Sequence, residues 1–465
     1  MLRDPPAAIA GNHAGRQQDA RRARTGLGAT FGLLIALAPF TAAAQSTEPL
    51  LPLPVAPSAP QLPVAPGQQP TYAGETVTLR PRPDFDPIGM RLGDFFWFPH
   101  GEVDEEFNSN IFATQTQTSD WITVLQPGFD LLQNSPLGSP AINLHAGAAT
   151  QFYVINPSQD TATGFASADG RLPVDANSGF IGNAQIAHSY TPRTSPNSPG
   201  NAAEPVTFNN YTATVGYAQT GLRLGYEADL AVQGTQYNAV PLIGGGLLPQ
   251  SSGDTINPQA TLRVSYEFIP DYLGYVRGSG TVYDYTHSSP SGVNFDSTVY
   301  RVDAGLQILP RHLIYGEVYA GYLTQTFNSA SLPSTSAPDY GGRLVWNVTG
   351  LTTLTFNGLR TFQTTNPATS GVGAGFLDSS VTASVDHELR YNLLVNASAG
   401  YENDNFQGIS RDDNYFSAGA SLRYLVNRNL YLGGSYNYQQ RSSSGSAPGV
   451  PYSQSIVMLR LGTQF

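Results

Sequence analysis

Hydrophobic and polar residues alternate one by one along much of the chain after Phe95. In residues 260–268 every second side chain is apolar or aromatic, and the side chains between them are Thr261, Arg263, Ser265 and Glu267. Because successive side chains of a β-strand point to opposite faces, this period of two predicts strands with one apolar and one polar face. The same alternation recurs in residues 222–230, 300–308, 393–401, 416–424, 430–438 and 457–465.

The lengths of these segments and of their connections favour a membrane barrel over a soluble β-sandwich. Soluble strands usually have about 5 to 6 residues, whereas a tilted strand needs about 9 to 11 to cross a bilayer. Short connections, typical of the periplasmic turns of an outer-membrane barrel, are predicted at 219–221, 270–271, 310–311, 349–350, 390–391 and 427–429. Longer connections, typical of its outer loops, are predicted at 233–257, 287–296, 327–339, 364–375, 402–414 and 441–451.

The pattern predicts an all-β fold, a transmembrane antiparallel up-and-down barrel of 18 strands with both termini on the periplasmic side. A barrel of 16 strands stays open as an alternative, because residues 164–175 and 179–190 alternate weakly. The predicted strands are 96–108, 120–133, 141–155, 164–173, 179–190, 207–218, 222–232, 258–269, 272–285, 297–309, 312–325, 340–348, 351–363, 377–389, 392–402, 415–426, 430–440 and 453–465.

The region before the barrel divides into three parts. Residues 1–44 combine a basic stretch, a short apolar core and Ala42-Ala43-Ala44, which predicts a cleaved signal peptide rather than an uncleaved anchor. Residues 45–78 are rich in proline, which indicates an extended periplasmic linker or, alternatively, a ligand for a partner domain. Residues 79–95 form a pre-barrel segment, and residues 96–465 form the predicted outer-membrane barrel of a Gram-negative bacterium.

The composition excludes several chemistries. The chain has no cysteine and its 23 basic residues are all arginine, so thiolate metal sites, cysteine nucleophiles and lysine Schiff bases are absent. A net charge of −11 argues against nucleic acid as a partner. The seven histidines are scattered and no H-E-x-x-H or G-x-S-x-G motif occurs, so we predict neither a cofactor nor enzymatic activity. An outer-membrane hydrolase, with a site assembled from different strands, is the remote alternative.

Several motifs resemble the putative β-barrel porin type 2 family over residues 78–465. They are Arg80 to Pro87 followed by Ile88 to Gly93, Asn108 to Thr114, Val385 to Leu389, Asn396 to Tyr401 and Arg411 to Tyr415. The resemblance implies an outer-membrane barrel of the kind often encoded with exopolysaccharide biosynthesis genes. It therefore implies a role in surface polysaccharide production or export, with polysaccharide export components as partners, or in passive solute passage. Residues 156–257 depart from the family pattern in their long loops.

Alternation also predicts which charged residues line the lumen. Nine arginine and acidic residues share the polar face of their predicted strands, and Glu317 is added because a carboxylate is costly in lipid. The candidates are Arg223, Glu227, Asp229, Arg263, Glu267, Arg301, Asp303, Glu317, Arg423 and Arg460. Such charges select permeants by size and charge, or they simply solvate the wall.

Barrel closure gives a sharper expectation. His100, Glu102, Asp104 and Glu106 share one face of the first strand, and Arg460 on the last strand is predicted to lie near Glu102 and Asp104. A metal site is not predicted. Glu402, Asp404, Asp412 and Asp413 in a predicted loop could hold calcium, but their spacing matches no calcium-loop template and a solvated loop is the simpler interpretation.

The end of the chain suggests how the barrel is assembled. Phe465 shares a face with Val457, Leu459 and Leu461, and it resembles the aromatic-ended last strand that the outer-membrane insertion machinery reads. An ordinary hydrophobic strand end is the alternative. Outer-membrane lipid, the insertion machinery and export components are the expected partners. The remaining functional alternative is a non-conducting anchor or assembly partner of an export complex.

Overall fold

Each alternating segment forms one strand of a single antiparallel sheet in the computed structural model, which describes residues 75–136, 138–369 and 373–465. Eighteen of its strands form a barrel. They are β1 Phe95–Asn108, β2 Asp120–Gln133, β3 Ala141–Tyr153, β4 Thr161–Pro173, β5 Ser178–Thr191, β6 Val206–Thr220, β7 Leu224–Tyr237, β8 Thr255–Ile269, β9 Tyr272–Tyr285, β10 Ser297–Ile308, β11 Ile314–Phe327, β12 Thr335–Thr349, β13 Thr352–Gln363, β14 Gly375–Arg390, β15 Leu393–Gln407, β16 Asp412–Leu425, β17 Leu430–Ser444 and β18 Tyr452–Gln464.

The sheet closes on itself because the first strand pairs with both the second and the last. Each strand from β2 to β17 pairs with the strands before and after it in the sequence. At the closing seam Asp104 lies directly opposite Arg460, and Val103 lies opposite Leu461. Closure leaves no strand edge with unpaired backbone groups, which a bilayer requires. The predicted barrel of 18 strands is therefore confirmed, and the alternative of 16 is wrong.

The two ends of the barrel differ in the length of their connections. At the short-turn end, the connections after β8, β12 and β14 have two residues each, and both β1 and β18 have one end there. In the turn after β8, Pro270 fixes a negative φ and Asp271 adopts a φ of 70°, a conformation that aspartate tolerates better than most residues. The long-loop end carries the longest connections, residues 192–205 and 238–254.

The outer face of the barrel is apolar, the reverse of a soluble protein. Leu459, Val302 and Leu262 are 68%, 60% and 57% exposed, whereas the alternate positions carry polar and charged side chains that are buried or half-buried. Large exposed apolar bands of this kind mark a surface that faces lipid. No helix in the described ranges is long and apolar enough to cross a membrane, and the two helical segments there are the 3₁₀ turns Pro157–Gln159 and Ser251–Gly253.

The strands extend further toward the long-loop end than the sequence pattern indicates. Residues 402–414 are predicted as a loop, but β15 continues to Gln407 and β16 begins at Asp412, which leaves residues 408–411 as the connection. Beyond the bilayer the outward face need not be apolar, so the alternation ends before the strand does. Before the barrel, the short strand Met90–Leu92 pairs with the start of β1. The predicted signal peptide and most of the predicted linker lie outside the described residues.

Candidate functional site

The lumen is the candidate functional site, because the inward positions of the strands carry the charged side chains. At the closing seam, Glu102, Asp104, Arg423, Tyr431 and Arg460 form a group that we call the closure cluster. Arg460 donates two hydrogen bonds to Asp104, Nε to Oδ1 at 2.7 Å and Nη2 to Oδ2 at 2.6 Å. Its Nη1 lies 2.9 Å from Oε2 of Glu102. The structure thus brings together the three residues that the sequence analysis paired across the seam.

Aromatic stacking completes the closure cluster. The hydroxyl of Tyr431 donates a hydrogen bond to Glu102, and the guanidinium of Arg423 lies over the Tyr431 ring, 3.9 Å from its centroid. Gly462 makes room for this ring, since a Cβ atom there would lie about 2.0 Å from it. Asp104 is fully buried and Glu102 is 7% exposed, so both carboxylates depend on Arg460 for their balancing charge.

A second group of charged residues lies on β8 to β12, on the opposite wall of the lumen. Its middle strand, β10, is eight strands away from β18 in a barrel of 18. Arg263 donates to Gln307 at 2.8 Å, pairs with Glu317 at 3.4 Å and lies over the Tyr275 ring. Glu317 faces the lumen, as the cost of a carboxylate in lipid requires. The other pairs are Arg277 with Asp303 and Arg301 with Asp339, each at 2.8 Å.

Arg277 and Asp339 are not among the lumen residues predicted from the sequence. Arg277 follows Leu273 and Tyr275 on the inward face of β9, and these two residues hide the polar face of the strand. A signal was available, because the two-residue turn Pro270–Asp271 fixes the register of β8 and β9 and places Arg263 opposite Arg277. Asp339 lies in the part of β12 that the pattern assigned to a loop.

Histidine and carboxylate side chains form a third group on β1 to β4, of which only His100 was singled out from the sequence. Asp130 lies 2.5 Å from Nδ1 of His145, and Asp169 lies 2.9 Å from Nε2 of the same ring. His100 lies 3.7 Å from Asp130. His145 follows Leu144, whose side chain is exposed on the outer face of the barrel. The alternation of outward and inward side chains alone would therefore have placed His145 in the lumen.

The other predicted lumen residues divide between the wall and a turn. Glu227, Asp229 and Glu267 occupy inward positions, with Glu227 opposite Arg263. Arg223 is a correction, because it is exposed in the turn before β7 and its side chain bonds to Tyr266, which points outward. Strand parity does not hold at this position because the regular strand begins at Leu224.

Three long connections meet at the long-loop end, and we call residues 192–205, 238–254 and 364–369 the lid. The amide Nδ2 of Asn366 donates to Oε1 of Gln250 at 2.8 Å, and its backbone N–H donates to Oδ1 of Asn197 at 3.1 Å. Thr369 donates to the backbone carbonyl of Asn197 at 3.0 Å. These contacts join loops that leave the barrel at β5, β7 and β13, so the lid crosses the mouth of the lumen.

Burial in the lid also changes the ionisation of two groups. Burial lowers the pKa of the Arg193 guanidinium below its usual value, and Arg193 donates to Oε1 of Gln159 at 2.9 Å. Burial raises the pKa of the Asp254 carboxyl, while the backbone N–H of Tyr237 and the imidazole of His287 lower it. Desolvated side chains of this kind indicate a packed lid rather than separate solvated loops.

Residues 75–88 lie against the short-turn end, and we call them the strap. Val77 is buried, and its N–H donates to Oγ1 of Thr353 at 3.0 Å. Arg82 is 3% exposed and donates to Glu388 at 2.9 Å and to the backbone carbonyl of Tyr391 at 3.0 Å. The strap is therefore fixed to β13, β14 and the turn after β14.

Replacing Arg82 with methionine is expected to release the strap. The variant keeps the apolar volume but removes the contacts to Glu388, Tyr391 and Val77, a loss of about 2 kcal/mol by the usual value for charged hydrogen bonds. Trypsin should then cleave after Arg91, which is followed by Leu92, at least about tenfold faster, while the barrel stays intact. The control is Arg390→Met, which removes an exposed arginine from β14. Equal cleavage rates in both variants would contradict the assignment.

The four acidic residues considered for calcium lie in strands rather than in a loop. Asp404 and Asp413 lie opposite one another on β15 and β16 and are buried. Arg411 donates to both oxygens of Asp413. Asp412 bonds instead to the side chains of Asn403 and Asn405, at 2.8 and 3.0 Å.

Comparison with protein families agrees with this architecture. A family model described as putative β-barrel porin 2 matches residues 82–465, from the strap to the end of the chain. The chain belongs to this family. The match includes both the strap residue Arg82 and the closing strand β18, so the family assignment covers the complete barrel. The protein is thus a porin-like outer-membrane β-barrel.

Solved structures to which the chain is similar include an outer membrane protein and a siderophore receptor. OpdK of Pseudomonas aeruginosa is 10% identical with a TM-score of 0.39, covering 79% of this chain and 99% of its own. OccK2 (OpdF) of the same species, in complex with glucuronate, is 11% identical with a TM-score of 0.43, covering 80% and 99%. The siderophore receptor PiuA of Acinetobacter baumannii is 11% identical with a TM-score of 0.41, covering 82% of each chain. Comparison with curated proteins finds no match.

Proposed function

We propose that the protein is a gated channel for small polar solutes in the outer membrane of a Gram-negative bacterium. The observation that carries the proposal is the contrast between the lumen wall and the lid. The lumen wall is lined with paired charges, which suit a water-filled path. The lid crosses one mouth of the lumen, where hydrogen bonds among Asn197, Gln250 and Asn366 join its loops. In this proposal the long-loop end faces outward and both ends of the chain are periplasmic.

Single-channel recording in planar bilayers tests the proposal. The purified protein is expected to show long closed periods interrupted by openings with a reproducible conductance. Mixed charge on the wall predicts weak selectivity between cations and anions, measured as a reversal potential in a salt gradient. A protein that inserts but never conducts, under any voltage, would refute the channel and leave the anchor.

A role in surface polysaccharide production or export is the finer proposal that the family resemblance supports. The expected partners are other components of an export complex, which the proline-rich region before residue 79 would contact from the periplasm. Deletion of the gene is expected to lower surface polysaccharide, measured by carbohydrate staining of whole cells. Unchanged polysaccharide together with lost solute uptake would favour passive passage alone.

The non-conducting anchor has a specific observation in its favour. The strap and the lid close parts of both ends, as an assembly platform without a permeant would allow. The two proposals differ in one property: an anchor keeps its function when the lid is locked, whereas a channel loses it. We propose transport rather than catalysis as the role of the lumen.

We also propose that Phe465 is read by the outer-membrane insertion machinery. It is 47% exposed, and its N–H donates to the carbonyl of Pro99 at 3.1 Å, beside the closing seam. Deleting Phe465 is expected to lower the amount of assembled barrel in the outer membrane several-fold without changing the lumen. The readout is heat-modifiable migration in membrane fractions, with Phe465→Tyr as the control that keeps the aromatic ring. Full assembly of the deletion variant would exclude this role.

A further inference from the structure

The joint between β12 and β13 has the shortest ladder of any two neighbouring strands in the described barrel. It ends at the pair Gly342 and Gly358 after seven register pairs, whereas the other joints have nine or more. Beyond this point residues 335–341 of β12 stay paired with β11, and residues 359–363 of β13 stay paired with β14. The two strand ends therefore part from one another toward the long-loop end.

Glycine and proline explain where the two strands part. Gly342 has a φ of 154°, and a Cβ atom at Gly341 would lie 2.5 Å from the hydroxyl oxygen of Tyr319. Glycines at these two positions allow β12 to bend away from β13. Pro338 lies in the parted end of β12, and proline, which cannot donate to a ladder, is confined to strand edges and bulges.

The parted ends overlap instead of lying side by side. Ala337 lies opposite Leu323, and both are on the inner face of β12 and β11. Phe362 lies opposite Leu377 on the outer face of β13 and β14, because it has the parity of the exposed Phe356. Yet these four apolar side chains of Leu323, Ala337, Phe362 and Leu377 form one buried cluster. The ends of β13 and β14 therefore lie on the lumen side of β11 and β12.

A contact further along the sheet supports this overlap. Thr335, on the inner face of β12, donates from Oγ1 to Oε1 of Gln407 on β15 at 3.0 Å. Gln407 has the parity of Tyr401, which is exposed on the outer face. The end of β12 thus passes outside β13 and β14 and reaches β15. We call the overlap of residues 335–341 with residues 359–363 the lap joint.

Two arginines hold the lap joint from opposite sides. On the lumen side, Nε of Arg301 lies 2.8 Å from Oδ2 of Asp339 on β12, and its Nη2 donates to Oγ1 of Thr361 on β13 at 3.2 Å. On the outer side, the guanidinium of Arg360 lies over the Tyr340 ring, 5.3 Å from its centroid. Opening the lap joint therefore separates side chains, whereas opening a regular joint breaks a ladder of backbone hydrogen bonds.

We propose that the lap joint is a lateral portal, through which an amphipathic molecule with an acyl chain passes between the lumen and the membrane. The lap joint has the same division as such a molecule, because its apolar cluster lies between lipid outside and the charged Arg301 and Asp339 inside. An acyl chain can replace the apolar contacts of Phe362, while the polar head passes on the lumen side.

The height of the lap joint places it in the half of the membrane next to the long-loop end. From Thr349 to Gly342 β12 advances about 24 Å along its own axis, or about 18 Å along the barrel axis at the usual tilt. The apolar band of a barrel is about 25 Å tall, so the lap joint begins in its far half. The portal rests on the water-filled lumen of the proposed function, but it does not need the lid to open.

The test is transfer of a fluorescent lysophospholipid out of vesicles that contain the purified barrel. Albumin first strips the probe from the outer leaflet, and later it removes only the probe that arrives there, because albumin is too large to enter the lumen. The barrel is expected to accelerate this transfer several-fold over protein-free vesicles, in either orientation. Ion leakage without faster transfer would overturn the portal and leave the channel, whereas absence of both would overturn both.

The chain has no cysteine, so two introduced cysteines can lock the lap joint. Thr335→Cys with Gln407→Cys, joined by a short thiol crosslinker that a reductant cleaves, is expected to return transfer to the protein-free rate until it is reduced. The matched control is Val345→Cys with Thr355→Cys, a pair directly opposite in the regular ladder, and its crosslinking is expected to leave transfer unchanged. Unchanged transfer in the locked variant, or an equal loss in the control, would overturn the proposal.

Discussion

Replacing Asn366 with alanine is expected to turn a mostly closed barrel into one that opens frequently. The substitution removes the amide that bonds to Gln250 and leaves the buried Oε1 of Gln250 without that donor. Leaving a buried polar group unsatisfied costs about 2 kcal/mol, which corresponds to a roughly 30-fold larger ratio of open to closed lid. Single-channel open probability in planar bilayers measures the change.

Two further variants show whether the effect belongs to the lid. Asn328→Ala changes an exposed asparagine in another connection at the long-loop end, and it is expected to leave the open probability unchanged. Asn197→Ala removes the acceptor of the Asn366 N–H and is expected to open the channel without adding fully to Asn366→Ala, because the two residues share one network. Equal open probabilities in the wild type and Asn366→Ala would show that the lid does not gate the lumen.

The lid could not be predicted from the sequence, although the barrel could. Period-two alternation and connection lengths are local properties, and they predict 18 strands with 16 left open only by two weakly alternating segments. The contacts of Asn366 with Gln250 and Asn197 join residues 116 and 169 positions apart. Amide side chains in loops follow no period, so their meeting depends on loop paths that only the folded chain defines.

Charged residues of the wall were predictable where parity and register were both clear. Arg460 and Asp104 lie on strands with regular alternation, and closing the barrel forces the first and last strands together. Arg277 and Asp339 lie where inward apolar residues or the end of the alternation obscure the face. Arg223 shows the opposite error, because parity was extended into a turn.

Replacing Arg460 with methionine is expected to destabilise the closing seam more than any single change elsewhere in the lumen wall. Methionine keeps the apolar stem but removes both charged contacts, leaving Glu102 and Asp104 buried beside each other. Breaking a buried pair in this way costs about 3 to 5 kcal/mol, because the remaining charge has no partner. The free energy of unfolding, measured by urea titration in lipid vesicles, should fall by this amount.

Two further variants serve as controls: one removes the unbalanced charge at the seam, and the other removes an arginine away from it. Combining Arg460→Met with Glu102→Gln and Asp104→Asn removes the stranded charges and is expected to recover most of the lost stability, since neutral replacements of buried ion pairs are often tolerated. Arg390→Met, at an exposed site on β14, is expected to change stability by less than about 0.5 kcal/mol. A loss below about 1 kcal/mol for Arg460→Met would mean that lumen water already screens the pair, as at an exposed surface. In that case barrel closure would depend on the backbone hydrogen bonds between β1 and β18 rather than on the closure cluster.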